Sequence, residues 1–291
     1  MKTNKSHKAF YHIYTKGLED NLLFKDREDF RVGMNYVATC QFVCKICILA
    51  FTLMSNHFHF VIYGTKEEAE KFVNLYKQVI GQYAQSRYAT MKIFREDLTS
   101  IKRIRLKNEG LKIIIAYVLN NPVKAGINCF VQNYEWGSGR YYFSSQDMGL
   151  DCIPVGKLGV REQKKLLHSH VRLPDSYLIC KSGYINPCSY LNIKYVEKLF
   201  SRAGSLAYFL SRSSMMTKKD GPVTYSDTLI ANVIGEILEK KFGSADLTEL
   251  SKEAKGKLIA DLRMQFKCSA KQLARLTKSS VAEIVDIISG A

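Results

Sequence analysis

Phe51-Thr52-Leu53-Met54-Ser55-Asn56-His57-Phe58-His59-Phe60-Val61-Ile62 is the stretch on which the fold turns. It closes an unbroken apolar run that starts at Ile46, and such a run predicts a buried strand reaching Met54. Ser55-Asn56 is a tight-turn signal. His57 to Tyr63 predicts a second strand, paired with the first as a hairpin. Strand alternation places His57, His59 and Val61 on one face and Phe58, Phe60 and Ile62 on the other. Two imidazoles two residues apart on a strand leave the same face, which suits one shared divalent ion. The same spacing also describes two polar residues on a half-wet sheet, and the hairpin alone does not separate these readings.

Working outward from the hairpin, Ala9 to Lys16 predicts a strand rich in aromatic and β-branched residues, broken by Gly17. Asp26 precedes a helix in which Phe30, Met34 and Val37 recur at helical spacing, running to about Val43. Thr65 precedes Lys66-Glu67-Glu68 and a long helix to about Met91. Residues 98–107 predict a short, very basic strand, and Leu111 to Asn121 an apolar helix stopped near Pro122. The order strand, helix, strand, strand, helix, strand, helix is the split βαβ, ferredoxin-like arrangement with one helix more. The expected class is therefore α+β, an antiparallel sheet covered by helices, with a mainly helical C-terminal region. Three segments follow: a first domain over 1–145, an irregular and helical extension over 146–250, and a helical unit over 251–291. In the extension, Ile193 to Arg212 reads as helix.

The chain of 291 residues carries 43 Lys+Arg against 27 Asp+Glu, a formal net charge of +16. The excess falls equally on the two halves. Such a surface favours a polyanion, nucleic acid first, although a cationic surface that binds nothing has the same count. No stretch approaches a membrane span of roughly 20 apolar residues, and Met1 to Lys8 is not followed by the apolar segment of a secretory signal. Of eight cysteines, Cys40, Cys44 and Cys47 lie close together without a second Cys-x-x-Cys pair. They read as reduced core cysteines of a cytoplasmic protein, with a zinc site as the alternative.

Tyr117 and Asn121 are four residues apart, so on a helix the phenol and the amide project together. A phenol is a nucleophile when a metal or a base activates it, and otherwise a packed core ring. Tyr76, Tyr83 and Tyr88 compete for that role, but their spacing on the long helix suggests a packed stripe. Lys102, Arg103, Arg105 and Lys107 form the densest basic cluster, suited either to the backbone of a DNA hairpin or to blunting an edge strand with charge. Near the C-terminus, Lys252 to Phe266, Ala270 to Leu276 and Val281 to Ile288 predict three helices. Thr277-Lys278-Ser279 separates the last two in the manner of a helix-turn-helix, with Ser279 to Ile288 as its recognition helix. Small helical bundles share that spacing.

The twelve residues from Phe51 resemble the "LMPNHFHLLL" signature of the HUH single-strand transposases, in particular the REP-associated tyrosine transposases. Ala116-Tyr117-Val118-Leu119-Asn120-Asn121-Pro122-Val123-Lys124-Ala125-Gly126 resembles that group's "YIHLNPVRAG" block. Tyr134-Glu135-Trp136-Gly137-Ser138 resembles its "DYPWSS" segment, and Tyr11-His12-Ile13-Tyr14 its first strand. Together the four cover about residues 9–143. Ser55 departs from the usual proline, Gly137 from a serine, and the usual Gly-x-x-Trp-Gln-x-Arg-Phe segment is missing. The resemblance implies a metal-dependent enzyme that nicks single-stranded DNA and transfers the strand through a 5′-phosphotyrosine. It implies Tyr117 as nucleophile and His57, His59 and Asn121 as ligands of Mg²⁺ or Mn²⁺. It further implies single-stranded or hairpin DNA as partner, a homodimer, and a cytoplasmic, nucleoid-associated location. A domesticated DNA-binding protein that no longer cuts is the alternative.

Overall fold

The computed structural model describes residues 7–15, 22–89, 94, 99–125, 127, 130–144, 151–215, 227–243, 246–266 and 268–289. The expected break at Gly17, the last residue of the Ala116–Gly126 block, and residues 90–91 of the expected long helix lie outside them. Four strands, β1 (Ala9–Thr15), β2 (Cys47–Met54), β3 (His57–Gly64) and β4 (Thr99–Arg103), form one antiparallel sheet in the order β2-β3-β1-β4. Between them run α1 (Arg27–Cys44) and α2 (Lys66–Tyr88). Local chemistry sets both starts. The Asp26 side chain accepts the Asp29 amide of α1 at 3.0 Å, and Thr65 and Glu68 close a reciprocal capping box on α2.

The hairpin alternates as its sequence requires. Phe58, Phe60 and Ile62 enter a core shared with Phe30 and Val37 of α1 and with Phe72 and Tyr76 of α2. Val61 faces a second core with Leu111, Ile115 and Val118 of α3 (Gly110–Leu119). Leu49 and Ala50 both belong to this second core although they are adjacent. A register shift between Ile48 and Ala50 resolves the conflict, since a bulge lets two consecutive residues face one side. The open edge of β2 is sealed by Trp136-Gly137-Ser138, through Leu53 N to Trp136 O at 2.9 Å and Ser138 N to Phe51 O at 2.9 Å.

Three expectations need correction. The basic segment pairs as a strand only over Thr99–Arg103; Arg105 lies outside it, and Lys107 sits in a 3₁₀ turn. Its partner β1 starts at Ala9, so after the bond from Ile104 N to Phe10 O at 2.8 Å the ladder ends. The helix expected over Leu111–Asn121 stops at Leu119, and a single turn, α4 (Asn121–Lys124), follows across Asn120. Pro122 sits in the first turn of α4, where its missing amide hydrogen costs nothing. The helix expected over Ile193–Arg212 divides at Ser201, whose φ is 67°, into α6 (Ile193–Phe200) and α7 (Ala203–Met215).

The extension contributes a two-stranded pair, β5 (Cys152–Pro154) with β6 (Leu178–Cys180), and α5 (Val160–Leu167). It packs on α1 around Asn35, which is wholly buried. The Asn35 amide donates to the carbonyls of Leu166 and Gly183, and its oxygen accepts the Ile185 amide at 2.8 Å. A buried amide with both ends engaged ties two segments about 150 residues apart. Helices α6 and α7 join α3 in covering the sheet. Helices α8 (Asp227–Ile237), α9 (Lys252–Phe266), α10 (Ala270–Leu276) and α11 (Val281–Ser289) enclose a third core, which also takes in Leu22. No helix among the described residues is long and apolar enough to cross a membrane.

Candidate active site

The sheet face under α3 collects the polar residues of three strands. Pairing of β1 with β3 sets Tyr14 opposite His59, and pairing of β1 with β4 sets His12 opposite Lys102. His57 and His59 have ring centroids 5.1 Å apart and perpendicular planes. The Tyr117 ring meets His59 edge-on at 5.6 Å and His12 at 5.9 Å. Although α3 ends before Asn121, the two residues stay coupled, because the Asn121 amide donates to the Tyr117 carbonyl at 2.9 Å. Asn121 also hydrogen-bonds the ring of His57. Thus His57, His59, Tyr117 and Asn121 converge on one face.

Each ring has one nitrogen already engaged. His57 Nδ1 lies 2.7 Å from Asn56 Oδ1, and the ring's other polar partner is the Asn121 side chain. His59 Nδ1 lies 3.0 Å from His12 Nε2, which leaves His59 Nε2 available. With the Asn121 nitrogen donating to the Tyr117 carbonyl, its oxygen is the end turned toward His57. Two imidazole nitrogens and an amide oxygen suit a divalent cation whose remaining positions go to water and phosphate. Among the described residues, no group of three His, Cys, Asp or Glu side chains is placed to hold a metal. His12 meets the Nδ1 side of the His59 ring.

The electrostatics keep the imidazoles neutral. Burial pushes His12 down to about 4, helped by the Lys102 ammonium. Burial likewise pushes His57 down to about 4, with the Asn121 hydrogen bond pulling the other way. His59 lies well below its ordinary value through burial and then the neighbouring His57, His12 and Lys124. Neutral rings are what a cation needs. These shifts also fix a pH dependence. A histidine whose folded pKa is depressed contributes stability above its unfolded value of 6.5, and loses it as pH falls toward the folded value. The metal-free protein is expected to lose stability between pH 6.5 and 4, with His12 alone accounting for something on the order of 3 kcal/mol. Urea midpoints across that range measure it, and His12→Gln should flatten the slope; an equal slope in both proteins would refute the assignment.

Two residues of the site escaped the sequence reading. His12 is legible only once β1 is paired with β3, because its partner lies 47 residues away. Lys124 brings its ammonium to 4.3 Å from the Tyr117 ring centroid. A basic residue in Asn-Pro-Val-Lys was visible, but not its direction. Of the four basic residues singled out, Lys102 reaches the site, lying 5.4 Å over the Tyr14 ring. Arg103, Arg105 and Lys107 stand on the exposed rim beyond it. The competing tyrosines belong to the opposite layer. Tyr76 is buried against Phe58 and Phe60, and Tyr83 and Tyr88 bond to Arg87 and Asp29.

Two of the three departures from the resembled motifs, Ser55 and Gly137, have local explanations. The Ser55 hydroxyl donates to the carbonyl of Gln265 in α9 at 3.3 Å, which proline has no hydroxyl to do. Gly137 lies on the sealed edge of β2, where a Cβ would sit 3.3 Å from the Phe51 carbonyl oxygen.

No family model matches the chain, and no curated protein does. Among solved structures, that of a REP-associated tyrosine transposase bound to a REP hairpin is similar at a TM-score of 0.36 and 12% identity, covering 59% of this chain and 92% of that one. At that level the site stands on its own geometry.

Proposed function

We propose that the chain cuts and rejoins single-stranded DNA, with Tyr117 as nucleophile and one Mg²⁺ or Mn²⁺ held by His57, His59 and Asn121. The observation that supports this most is the convergence of a partly exposed phenol, two neutral imidazoles and an amide on one face. The resemblance of the His57 and Tyr117 segments to the HUH transposase motifs supports it independently. The strand order β2-β3-β1-β4, with α1 and α2 as crossovers, agrees with a split βαβ reading of the sheet.

A divalent ion held by His57, His59 and Asn121 would supply Lewis acidity toward the phosphate. The chain's own residues do the rest. The Tyr117 oxygen attacks phosphorus, the bond from phosphorus to the 3′ oxygen breaks, and the phenol proton ends on that oxygen as a free 3′-OH. A 5′-phosphotyrosine ester remains. Attack by a 3′-OH on this ester restores the phosphodiester and the phenol, so joining consumes no nucleotide. The Lys124 ammonium lies over the Tyr117 ring, 4.3 Å from its centroid, and adds positive charge beside the phosphate's place. His12 acts as a positioning residue, holding the His59 ring so that Nε2 faces the site. His12→Ala is expected to weaken Mn²⁺ binding by roughly 10- to 100-fold, the usual cost of losing such a support. Titration calorimetry measures it, and unchanged affinity would remove His12 from the site.

Helices α10 and α11 are the candidates for further DNA contacts. On α11, Val281 and Val285 are exposed beside Glu283 and Asp286, without a basic residue. Phosphate contacts of this unit therefore fall to Lys271, Arg275 and Lys278. The reading is tested by incubating the chain with Mn²⁺ and a labelled pool of randomised single-stranded hairpins. A denaturation-resistant adduct that maps to the peptide containing Tyr117 is expected. A protein that binds the pool without any adduct would be the non-cutting alternative.

A further inference from the structure

Beside the histidine face, between β4 and the start of α3, the structure has a cavity of about 370 Å³. Its size lies at the low end of small-molecule sites, roughly 300–1,000 Å³. Its walls are of two kinds. Ile104, Ile113 and Ile114 give apolar surface, and Lys102, Arg103, Arg105 and Lys107 stand around it as cations. His12, which bonds His59, closes one side. Among the described residues, none of the four cations forms an ion pair with a carboxylate.

The rim is held in a conformation the chain does not adopt by default. Asn108 and Glu109 are consecutive non-glycine residues with φ of 53° and 60°. At Gly110, a Cβ would lie 2.0 Å from the carbonyl oxygen of Arg105, so the loop closes tightly on itself. Left-handed backbone at non-glycine residues is strained, and strain of this kind concentrates at ligand-binding loops. Here it folds Arg105 and Lys107 back around the cavity instead of continuing the β4 edge.

We infer that this cavity receives one unpaired nucleotide of the DNA strand, its base against the isoleucines and its phosphate among the cations, next to the proposed scissile phosphate. An apolar slot with a cationic mouth matches a flat base carrying an anionic phosphate. A base in duplex DNA is stacked and paired and enters only if extruded, so the cavity selects for single strands. The four cations thus have a defined partner rather than a diffuse one. The inference rests on the proposal that the chain acts on DNA, but it needs neither the metal nor Tyr117.

The test uses the full chain with isoleucine methyl groups labelled for NMR, in EDTA. It is titrated with each of the four deoxynucleoside 5′-monophosphates, with 2-deoxyribose 5-phosphate and with inorganic phosphate. Saturable ring-current shifts of the Ile113 and Ile114 methyls are expected with at least one nucleotide and with neither control. Ile113→Trp, which fills the cavity, should weaken that nucleotide at least tenfold. Arg105→Ala with Lys107→Ala, both at exposed positions, should weaken it while leaving the spectrum folded. Shifts equal in size with inorganic phosphate would mean an anion site only, and no shift would mean no site; either result overturns the inference. Because EDTA prevents metal-dependent adduct formation, nucleotide binding without later adduct formation would sink the cutting reaction and leave the pocket standing.

Discussion

Tyr117→Phe is expected to abolish the covalent DNA adduct, a loss beyond about 10⁴-fold on the scale of removing a nucleophile, while DNA binding stays essentially intact. Phenylalanine keeps the ring that packs beside α7 and meets the edges of His12 and His59. It removes only the oxygen proposed to attack phosphorus. The hydrogen bond from Asn121 goes to the Tyr117 backbone carbonyl and survives the change. The comparison is with Tyr83→Phe and Tyr88→Phe. Their hydroxyls bond to Arg87 and Asp29 on the far side of the sheet, so stability should fall and the adduct persist. A gel in which Tyr117→Phe still forms adduct, and a Tyr83 or Tyr88 variant does not, would move the chemistry to α2.

Arg87→Ala is expected to cost the fold about 3–5 kcal/mol, the usual result of stranding a buried charge. The Arg87 guanidinium bonds both Asp26, at 2.7 Å, and Asp29, and both carboxylates are almost wholly buried. Burial and the Asp26 carboxylate hold Asp29 above its ordinary range, against the pull of Arg87. Without the guanidinium, the two acids face each other nearly unshielded. An acid with a raised folded pKa is stabilising when protonated and costly once pH rises through that value. The deficit should therefore be larger at pH 8 than at pH 5, as urea midpoints at the two pH values will show. An equal deficit at both would mean that Arg87 contributes packing rather than charge. Asp26 also lies 3.8 Å from Lys241, and Lys25 pairs with Glu236, so the loss should loosen the seat of α8 as well.

The hairpin, the two long helices and the convergence of His57 with His59 were legible because periodicity is local. An apolar run, a turn and an alternating strand lie within twenty residues. What was not legible depends on partners far away in the chain. His12 lies on a strand whose neighbour is set by pairing, not by spacing, so its bond to His59 has no sequence signature. The end of the basic strand at Arg103 is decided by where β1 begins. Asn35 sits in a helical stretch and gives no sign that it will anchor residues 166 to 185. The division of the Tyr117 helix had a local cue in Pro122, which dates the stop correctly to within a turn.

The bond from Ser55 to Gln265 spans 210 residues. Ser55 begins the turn that launches the histidine strand, and its own carbonyl accepts the amides of Leu23 and Phe24. On a ribosome the hairpin thus emerges long before the helix that completes its turn. At about 5–20 residues per second, the interval is roughly 10–40 s. A histidine hairpin written in the first quarter of the chain receives its last support near the end of translation, so a truncated product carries the motif without the scaffold that steadies it.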